Sequence, residues 1–448
     1  MIQEEADLRR VLIISYHFPP RPAIGSVRLE GLAKYLPRYG WEPVVLTPTY
    51  PGGPDKRFEV IETGYLDVVD NLKKRMGLRN GAGLQEQLHI SQTLRSGRFS
   101  PLDPVVKALK TFICYPDDQR GWLPFALQKA RSLIREGFID AIITSSKPET
   151  SHLIGAKLRQ ELHIPWVADL RDLWTQNHYY EFLSFRKIVE RRLELKTLNS
   201  ANALVTVSAP LAQLLQELHR EKTIYSITNG FDPDSVSANP KLTSEFTVTY
   251  TGSLYRGKRD PRILLEAVRN LIKLGVMEPT ALRIRFYGEQ GYWIKQEISS
   301  YGLDEVVELH GHIKREDALK RQGESQVLLL LTWNNPRESG VYTGKLFEYL
   351  AARRPILALG GTPGVVGPLL EETRTGFHVA NVSETMEVLH RWWIGYLNSG
   401  YVPYYGRESA ISRYSQNKMA ERFAEVLNDI TRASKQDTIT GESWTRGN

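Results

Sequence analysis

The sequence predicts an α/β protein made of two Rossmann-like, doubly wound domains that face each other across a cleft. Three observations carry this. At 448 residues the chain exceeds what one hydrophobic core organises, so two domains are favoured. Short apolar runs alternate with longer stretches of helical period, the pattern of parallel sheets wrapped by helices. The alternation occurs twice, on either side of a stretch at 229–244 rich in Asp, Pro, Ser and Asn, which reads as a linker.

In the first series, Val11 to Ser15 is a strand-like run, followed by a helical stretch over about 25–39 and a second strand at Glu42 to Leu46. Strand, helix and strand within about forty residues make a βαβ unit, hence parallel pairing. Further strands are expected at Ala141 to Thr144, Trp166 to Asp169, Ala203 to Val207 and Thr223 to Ile227, with helices at 149–162, 182–198 and 209–218. The segment 48–102 breaks the pattern and reads as an irregular insertion with basic residues Lys73, Lys74, Arg75 and Arg79. The second series has strands at Phe246 to Tyr250, Arg283 to Tyr287, Val306 to His310, Val327 to Leu331 and Ile356 to Leu359. Its helices fall at 261–274, 291–301, 314–321, 343–352 and 364–371, and a last helical pattern covers 408–431. The expected domains are 1–240 and 241–433, the second closed by that last helix, with a polar, disordered tail at 434–448.

Composition narrows the function. Hydrophobic residues at 41% and charged residues at 24% describe a globular chain. The net charge of +7 suits an anionic ligand, an anionic membrane or nucleic acid, or a merely solvated basic surface. No nucleic-acid recognition module appears, so a nucleic-acid reader is not expected. The single cysteine, Cys114, sits in an apolar run, reads as packing, and allows neither an internal disulfide nor a cysteine zinc site. The N-terminus is acidic and unlike a secretory signal. No uncharged apolar run approaches the roughly 20 residues that span a bilayer. A cytoplasmic protein is expected, with any membrane contact peripheral, at the inner face. The cluster at 73–79 and the aromatic run Trp392, Trp393, Tyr396, Tyr401, Tyr404 and Tyr405 motivate such contact; packing of that run against the first domain is the alternative.

In open α/β sheets ligands sit beyond the carboxyl ends of the strands, so the loops there are the ones to read. The loop Tyr16 to Arg28 follows the first strand and brings Gly25 to a helix start, where free backbone N–H groups attract phosphate; Arg21 and Arg28 add charge. It lacks the second and third glycines of the dinucleotide fingerprint. The loop Tyr250 to Pro261 follows the first strand of the second domain. It joins Gly252 and Ser253 to Arg256, Lys258 and Arg259, a composition suited to a pyrophosphate. In the third segment, Arg337 to Leu350, Gly340 and Gly344 precede a helix carrying Lys345 and Glu348. Its amides and Lys345 suit negative charge, and Glu348 suits vicinal hydroxyls such as those of a ribose. The alternative is an i,i+3 ion pair between the two.

Taken together these segments resemble the retaining glycosyltransferases of the family 4 type, bacterial group-1 enzymes of the GT-B fold. The likeness runs along nearly the whole chain through "VLIISYHFPPRPAIGSVRLEGLAKYLPRYGWEPVVLTP", "ITSSKPETSHLIGAKL", "PWVADLRDLW", "ALVTVSAPLAQLL", "ITNGFDPD", "YTGSLYRGKRDP" and "GKLFEYLAARRPILAL". The resemblance implies that Gly25 lies near the donor diphosphate or the acceptor. It implies that Lys258 and Arg256 hold the diphosphate and that Glu348 binds the ribose. Glu338, with the amides of Ser339 and Gly340, would contact the donor sugar. The sequence departs from the family in two places. The position eight before Glu348, usually a glutamate, is Gly340, and the position five before Lys258, usually an arginine, is Ser253. Of the remaining residues, Asp169 or Asp172 would act on the acceptor, or Asp169 would form a buried pair with Arg171. His17 would touch acceptor or donor, and His310 or His312 would stand near the base.

The resulting expectation is an enzyme that moves a sugar from a nucleotide-diphosphate sugar to a hydroxyl of a glycan or lipid-linked acceptor in cell-surface glycan assembly. No metal or other cofactor is expected, since no DxD-type motif ties a metal to the donor. The alternatives are a nucleotide-sugar epimerase of the same fold and a non-catalytic subunit that binds sugar nucleotides.

Overall fold

A computed structural model describes residues 9–21, 24–67, 115–180, 184–235 and 240–445. It divides into two compact units, 1–228 with 420–448, and 229–419.

The first unit holds seven strands: β1 (Arg9–Ile14), β2 (Trp41–Pro48), β3 (Glu59–Thr63), β4 (Ala141–Ser146), β5 (Trp166–Leu170), β6 (Ala203–Thr206) and β7 (Ile224–Ser226). They align as β3-β2-β1-β4-β5-β6-β7, every neighbouring pair parallel. Helices α1 (Ile24–Tyr35), α2 (Leu123–Arg135), α3 (Thr150–Leu162), α4 (Ser184–Leu198) and α5 (Ala209–Leu218) make the crossovers. Strands β4, β5 and β6 are buried at every residue, which is why they read as continuous apolar runs rather than alternating ones.

The second unit repeats the plan. Strands β8 (Phe246–Thr251), β9 (Leu282–Tyr287), β10 (Val307–Gly311), β11 (Val327–Leu331), β12 (Ile356–Leu359) and β13 (Gly376–Val379) align as β10-β9-β8-β11-β12-β13, again all parallel. Its helices are α6 (Arg262–Lys273), α7 (Trp293–Tyr301), α8 (Arg315–Glu324), α9 (Gly344–Ala352), α10 (Val366–Thr373) and α11 (Val382–Ser399). Two apolar clusters flank this sheet, one around Phe246, Phe286 and Trp393, the other around Leu328, Phe347 and Tyr349. Each unit therefore has one topological switch point, between β1 and β4 in the first and between β8 and β11 in the second. There the flanking loops diverge and leave room for a ligand.

Several expectations need correction. The boundary falls at 228/229 rather than near 240, and the chain returns to the first unit at 420. The closing helix, α12 (Gln416–Thr445), is the reason. Its Asn428 accepts from Trp41 Nε1 at 3.0 Å and from Arg9, and Phe423 lies under the Arg28 guanidinium at 5.1 Å. The same helix runs to Thr445, through much of the expected tail. Inside the expected insertion, β3 pairs with β2, and the sequence reading missed it together with α2, β13 and α11. Trp392 and Trp393 pack within their own unit, 5.8 Å from Phe377 and 5.4 Å from Phe246 between ring centres. Cys114 and the basic cluster at 73–79 lie outside the described residues. No described helix is long and apolar enough to cross a membrane.

Candidate functional site

At the switch point of the second unit, the carboxyl ends of β8, β9 and β10 finish in glycine. Gly252 N donates to the Tyr287 carbonyl at 2.6 Å, and Gly288 N to the Gly311 carbonyl at 2.5 Å. A β-carbon on Gly288 would lie 2.5 Å from the Gly252 carbonyl oxygen, so the strand ends approach as only glycine allows. Beyond β8 the chain folds into a small turn. Tyr255 N bonds the Arg259 carbonyl at 3.2 Å, Gly257 adopts φ +72°, and the Asp260 carboxylate accepts Gly257 N at 2.9 Å.

This turn and the loop after β11 share their cations. The Lys258 ammonium stands 4.5 Å from the ring centre of Trp333, which follows β11. Lys345, near the start of α9, reaches back under β8 with its Nζ 5.3 Å from the ring centre of Tyr250. Burial, with Arg259 nearby, pulls the Lys345 amine down to about 8; Glu348 opposes the shift. Among the described residues no carboxylate lies within ion-pair distance of Lys345, so the i,i+3 pair with Glu348 does not form. Glu348 instead accepts from Arg315 Nε at 3.3 Å and from Gln322 Nε2 at 3.2 Å. Gln322, fully buried on α8, also donates to Thr251 Oγ1 at 2.9 Å and so ties Glu348 to the end of β8. Neither Arg315 nor Gln322 was singled out in the sequence; their helix looks like any polar surface helix until it is seen against α9.

Arg256 is exposed and pairs with Glu297 at 3.5 Å. Glu338, Ser339 and Gly340 lie on the β11–α9 loop. Glu338 closes a short turn, its carbonyl accepting Val341 N at 2.9 Å. The Ser339 carbonyl accepts Val365 N at 2.8 Å, and Gly364 is packed so closely that a β-carbon there would meet Ser339 backbone at 2.5 Å. The loop is thus braced from the β12 side. His310 stacks on Tyr287 at 4.5 Å and bonds Glu308, and His312 is exposed.

At the switch point of the first unit, His17 follows β1. Its imidazole is pulled down to about 4 by burial and by Arg21 and Arg171, so it is neutral at pH 7. Arg21 lies over the rings of Tyr16 and Tyr50 at 4.9 and 4.6 Å. Gly25 leaves space for a side chain: a β-carbon there would fall 1.9 Å from Arg171 Nη1. Asp169 does not pair with Arg171. It takes a bidentate bond from Arg28, at 3.1 and 2.9 Å, and Arg28 also donates to the carbonyls of Ile227 and Thr228. Both residues of this pair are buried, so Arg28 is a structural tie and not a phosphate ligand. Asp172 is exposed in the loop beyond β5. The sequence reading passed over Glu149, which follows β4. Its carboxyl is pushed up to about 7 by burial, with Lys147 opposing and Asp117 adding to the shift. Only its neighbours reveal this, since a glutamate at a helix start otherwise reads as a cap.

Among the described residues no three His, Cys, Asp or Glu side chains gather as a metal site. The bonding capacity of the second unit's switch point lies in Lys258, Lys345, the amides before α9 and Glu348, a set that complements a phosphorylated, hydroxyl-bearing ligand.

The fold is GT-B. Sucrose-phosphate synthase from Thermosynechococcus elongatus superposes with a TM-score of 0.54 at 15% identity, over 97% of this chain and 99% of that one. Anabaena HepE in complex with UDP-glucose gives 0.54 at 14% identity, over 94% and 99%. The lipopolysaccharide outer core galactosyltransferase WaaB gives 0.55 at 11% identity, over 94% and 99%. No curated protein matches the sequence. Residues 91–235 match the family model described as Glycosyltransferase Family 4, and with the fold this makes the chain a glycosyltransferase.

Proposed function

We propose that the protein is a retaining glycosyltransferase whose second unit takes a nucleotide-diphosphate sugar and whose first unit takes the acceptor hydroxyl. The observation that carries the donor assignment is the gathering of Lys258, Lys345 and Glu348 at one switch point, with Lys345 half-buried and without a carboxylate partner among the described residues. A partly desolvated amine held in this way is completed by an anionic ligand. HepE, a structure of the same fold, is described with UDP-glucose, which agrees in chemical class.

In the proposed reaction the acceptor oxygen bonds to the anomeric carbon on the face from which the diphosphate departs. The carbon–oxygen bond to phosphate breaks, and its electron pair leaves with the nucleoside diphosphate. The hydroxyl proton passes to the departing phosphate oxygen. Lys258, Lys345 and the amides before α9 stabilise the charge that develops there. Glu348 holds the ribose hydroxyls, the Glu338–Ser339–Gly340 turn contacts the donor sugar, and Arg256 joins Lys258 at the diphosphate. In the first unit Gly25, His17 and Asp172 flank the acceptor; neutral His17 is suited to hydrogen-bond a hydroxyl. The acceptor class proposed is a glycan or lipid-linked sugar in cell-surface assembly.

The test is an assay of nucleoside diphosphate release from UDP, GDP, ADP and TDP sugars, with and without acceptors. Release that depends on acceptor supports transfer. Release of a free, epimerised sugar without acceptor favours the epimerase reading.

A further inference from the structure

Both carboxylate oxygens of Glu348 take a donor from α8. Arg315 and Gln322 stand seven positions apart on that helix, close to two turns, and so share one face. Arg315 Nε donates to Oε1 at 3.3 Å and Gln322 Nε2 to Oε2 at 3.2 Å. One donor on each oxygen leaves the remaining lone pairs of the carboxylate for a ligand.

The two donors differ in worth. The Arg315 side chain is 55% exposed, and an ion pair so exposed is screened by water. Gln322 is fully buried, where a hydrogen bond to a charged group is strong and the amide has little freedom to turn. Its Nε2 also donates to Thr251 Oγ1 at 2.9 Å. The hydroxyl of Tyr349, the residue next to Glu348, accepts Thr251 N at 3.3 Å and lies 3.4 Å from Thr251 Oγ1. Glu348, Gln322, Thr251 and Tyr349 thus close a ring that joins α8, the end of β8 and α9.

The amide can face only one way in this ring. A carboxylate only accepts, so Gln322 must present its nitrogen to Glu348. Among the described residues that leaves Gln322 Oε1 buried without a partner. An orphaned buried acceptor costs stability, which an apolar side chain of the same size would avoid. What the glutamine supplies in return is the hydrogen bond that holds Glu348.

We propose that Gln322 is a positioning residue. It fixes the rotamer of Glu348 so that the free lone pairs of the carboxylate meet the vicinal hydroxyls of the donor ribose, and so sets a preference for ribo- over 2′-deoxyribonucleotides. Its role rests on the reading of Glu348 as the ribose ligand. Without Gln322 the carboxylate turns among rotamers and holds a hydroxyl for only part of the time, while Lys258 and Lys345 keep their hold on phosphate. The loss therefore falls on the 2′-hydroxyl and spares the rest of the nucleotide.

The test is calorimetric titration of the full-length protein with the ribo and 2′-deoxy forms of UDP, GDP and ADP. For the nucleotide that binds tightest, the wild type is expected to favour the ribo form by about ten- to a hundredfold, the worth of a hydrogen bond to a charged group. Gln322→Met keeps the volume and removes the donor. It should lose most of that preference while its binding of the 2′-deoxy form stays within about twofold of wild type. Thr251→Val removes the second anchor of the amide without touching Glu348. It should lose part of the preference, an independent reading if Gln322→Met unfolds. Equal weakening of both forms in these variants would mean a merely structural role and overturn the proposal. So would a preference that both variants keep, or one that Arg315→Ala loses and Gln322→Met keeps. In each of those cases a preference lost in Glu348→Ala leaves the ribose reading standing. A preference that survives in Glu348→Ala, or a folded wild type that shows none, overturns the ribose reading and the proposal with it.

Discussion

Lys345 and Gly252 compete for one space: a β-carbon on Gly252 would fall 2.1 Å from Cε of Lys345 and 2.3 Å from its Nζ. Gly252 also sits at φ +152°, where a side chain is strained. The glycine that follows β8 thus makes room for the half-buried amine near the start of α9. Gly252→Ala is expected to displace Lys345 and weaken donor binding by roughly ten- to a hundredfold, the worth of one charge-assisted hydrogen bond. Calorimetric titration with the nucleotide-sugar donor checks this; unchanged affinity would separate Lys345 from the donor.

Lys345 gives that affinity a pH dependence. Its amine titrates near 8 in the free protein, and an anionic ligand beside it favours the charged form. Donor binding should therefore weaken as pH rises through about 8, because the ammonium must then be restored on binding. Lys345→Met should bind more weakly and lose this dependence. A wild-type profile that is flat from about pH 7 to about pH 9 would contradict it.

Glu149 acts on stability. Its folded carboxyl holds a proton up to about 7, against 4.5 as its ordinary value. A raised pKa contributes stability in full below the unfolded value and loses it as pH rises through the folded one. Glu149→Gln has no such loss. The unfolding free energy of the variant relative to wild type, read from denaturant melts, should climb between about pH 5 and about pH 8, toward a limit of about 3 kcal/mol. A difference independent of pH would show that Glu149 is charged and solvated in the fold.

The proposed charge stabilisation uses Lys258, Lys345 and backbone amides, with no metal. Sugar transfer should persist in excess EDTA. Activity that disappears on chelation and returns with magnesium would require a metal on the diphosphate.

Much of the architecture is legible in the sequence because parallel strands buried on both faces read as apolar runs: Val327–Leu331 and Ile356–Leu359 are expected and observed at the same bounds. β13 (Gly376–Val379) is not legible, because its residues are mostly half-exposed and its run is short. The second-unit loops that gather Lys258, Lys345 and Glu348 are legible from their place after strands, since topology brings strand ends together. Partner choice is not. Sequence proximity suggests Lys345 with Glu348 and Asp169 with Arg171, whereas packing gives Glu348 to Gln322 and Arg315, and Asp169 to Arg28.

The most direct test of the account is nucleoside diphosphate release by the wild type and by Lys258→Ala, Lys345→Met and Glu348→Ala across the four donor nucleotides. The account predicts one preferred donor, release that depends on acceptor, product that keeps the donor's anomeric configuration, and loss in all three variants. Binding of no nucleotide sugar by the folded wild type, or turnover unchanged in the three variants, would contradict it.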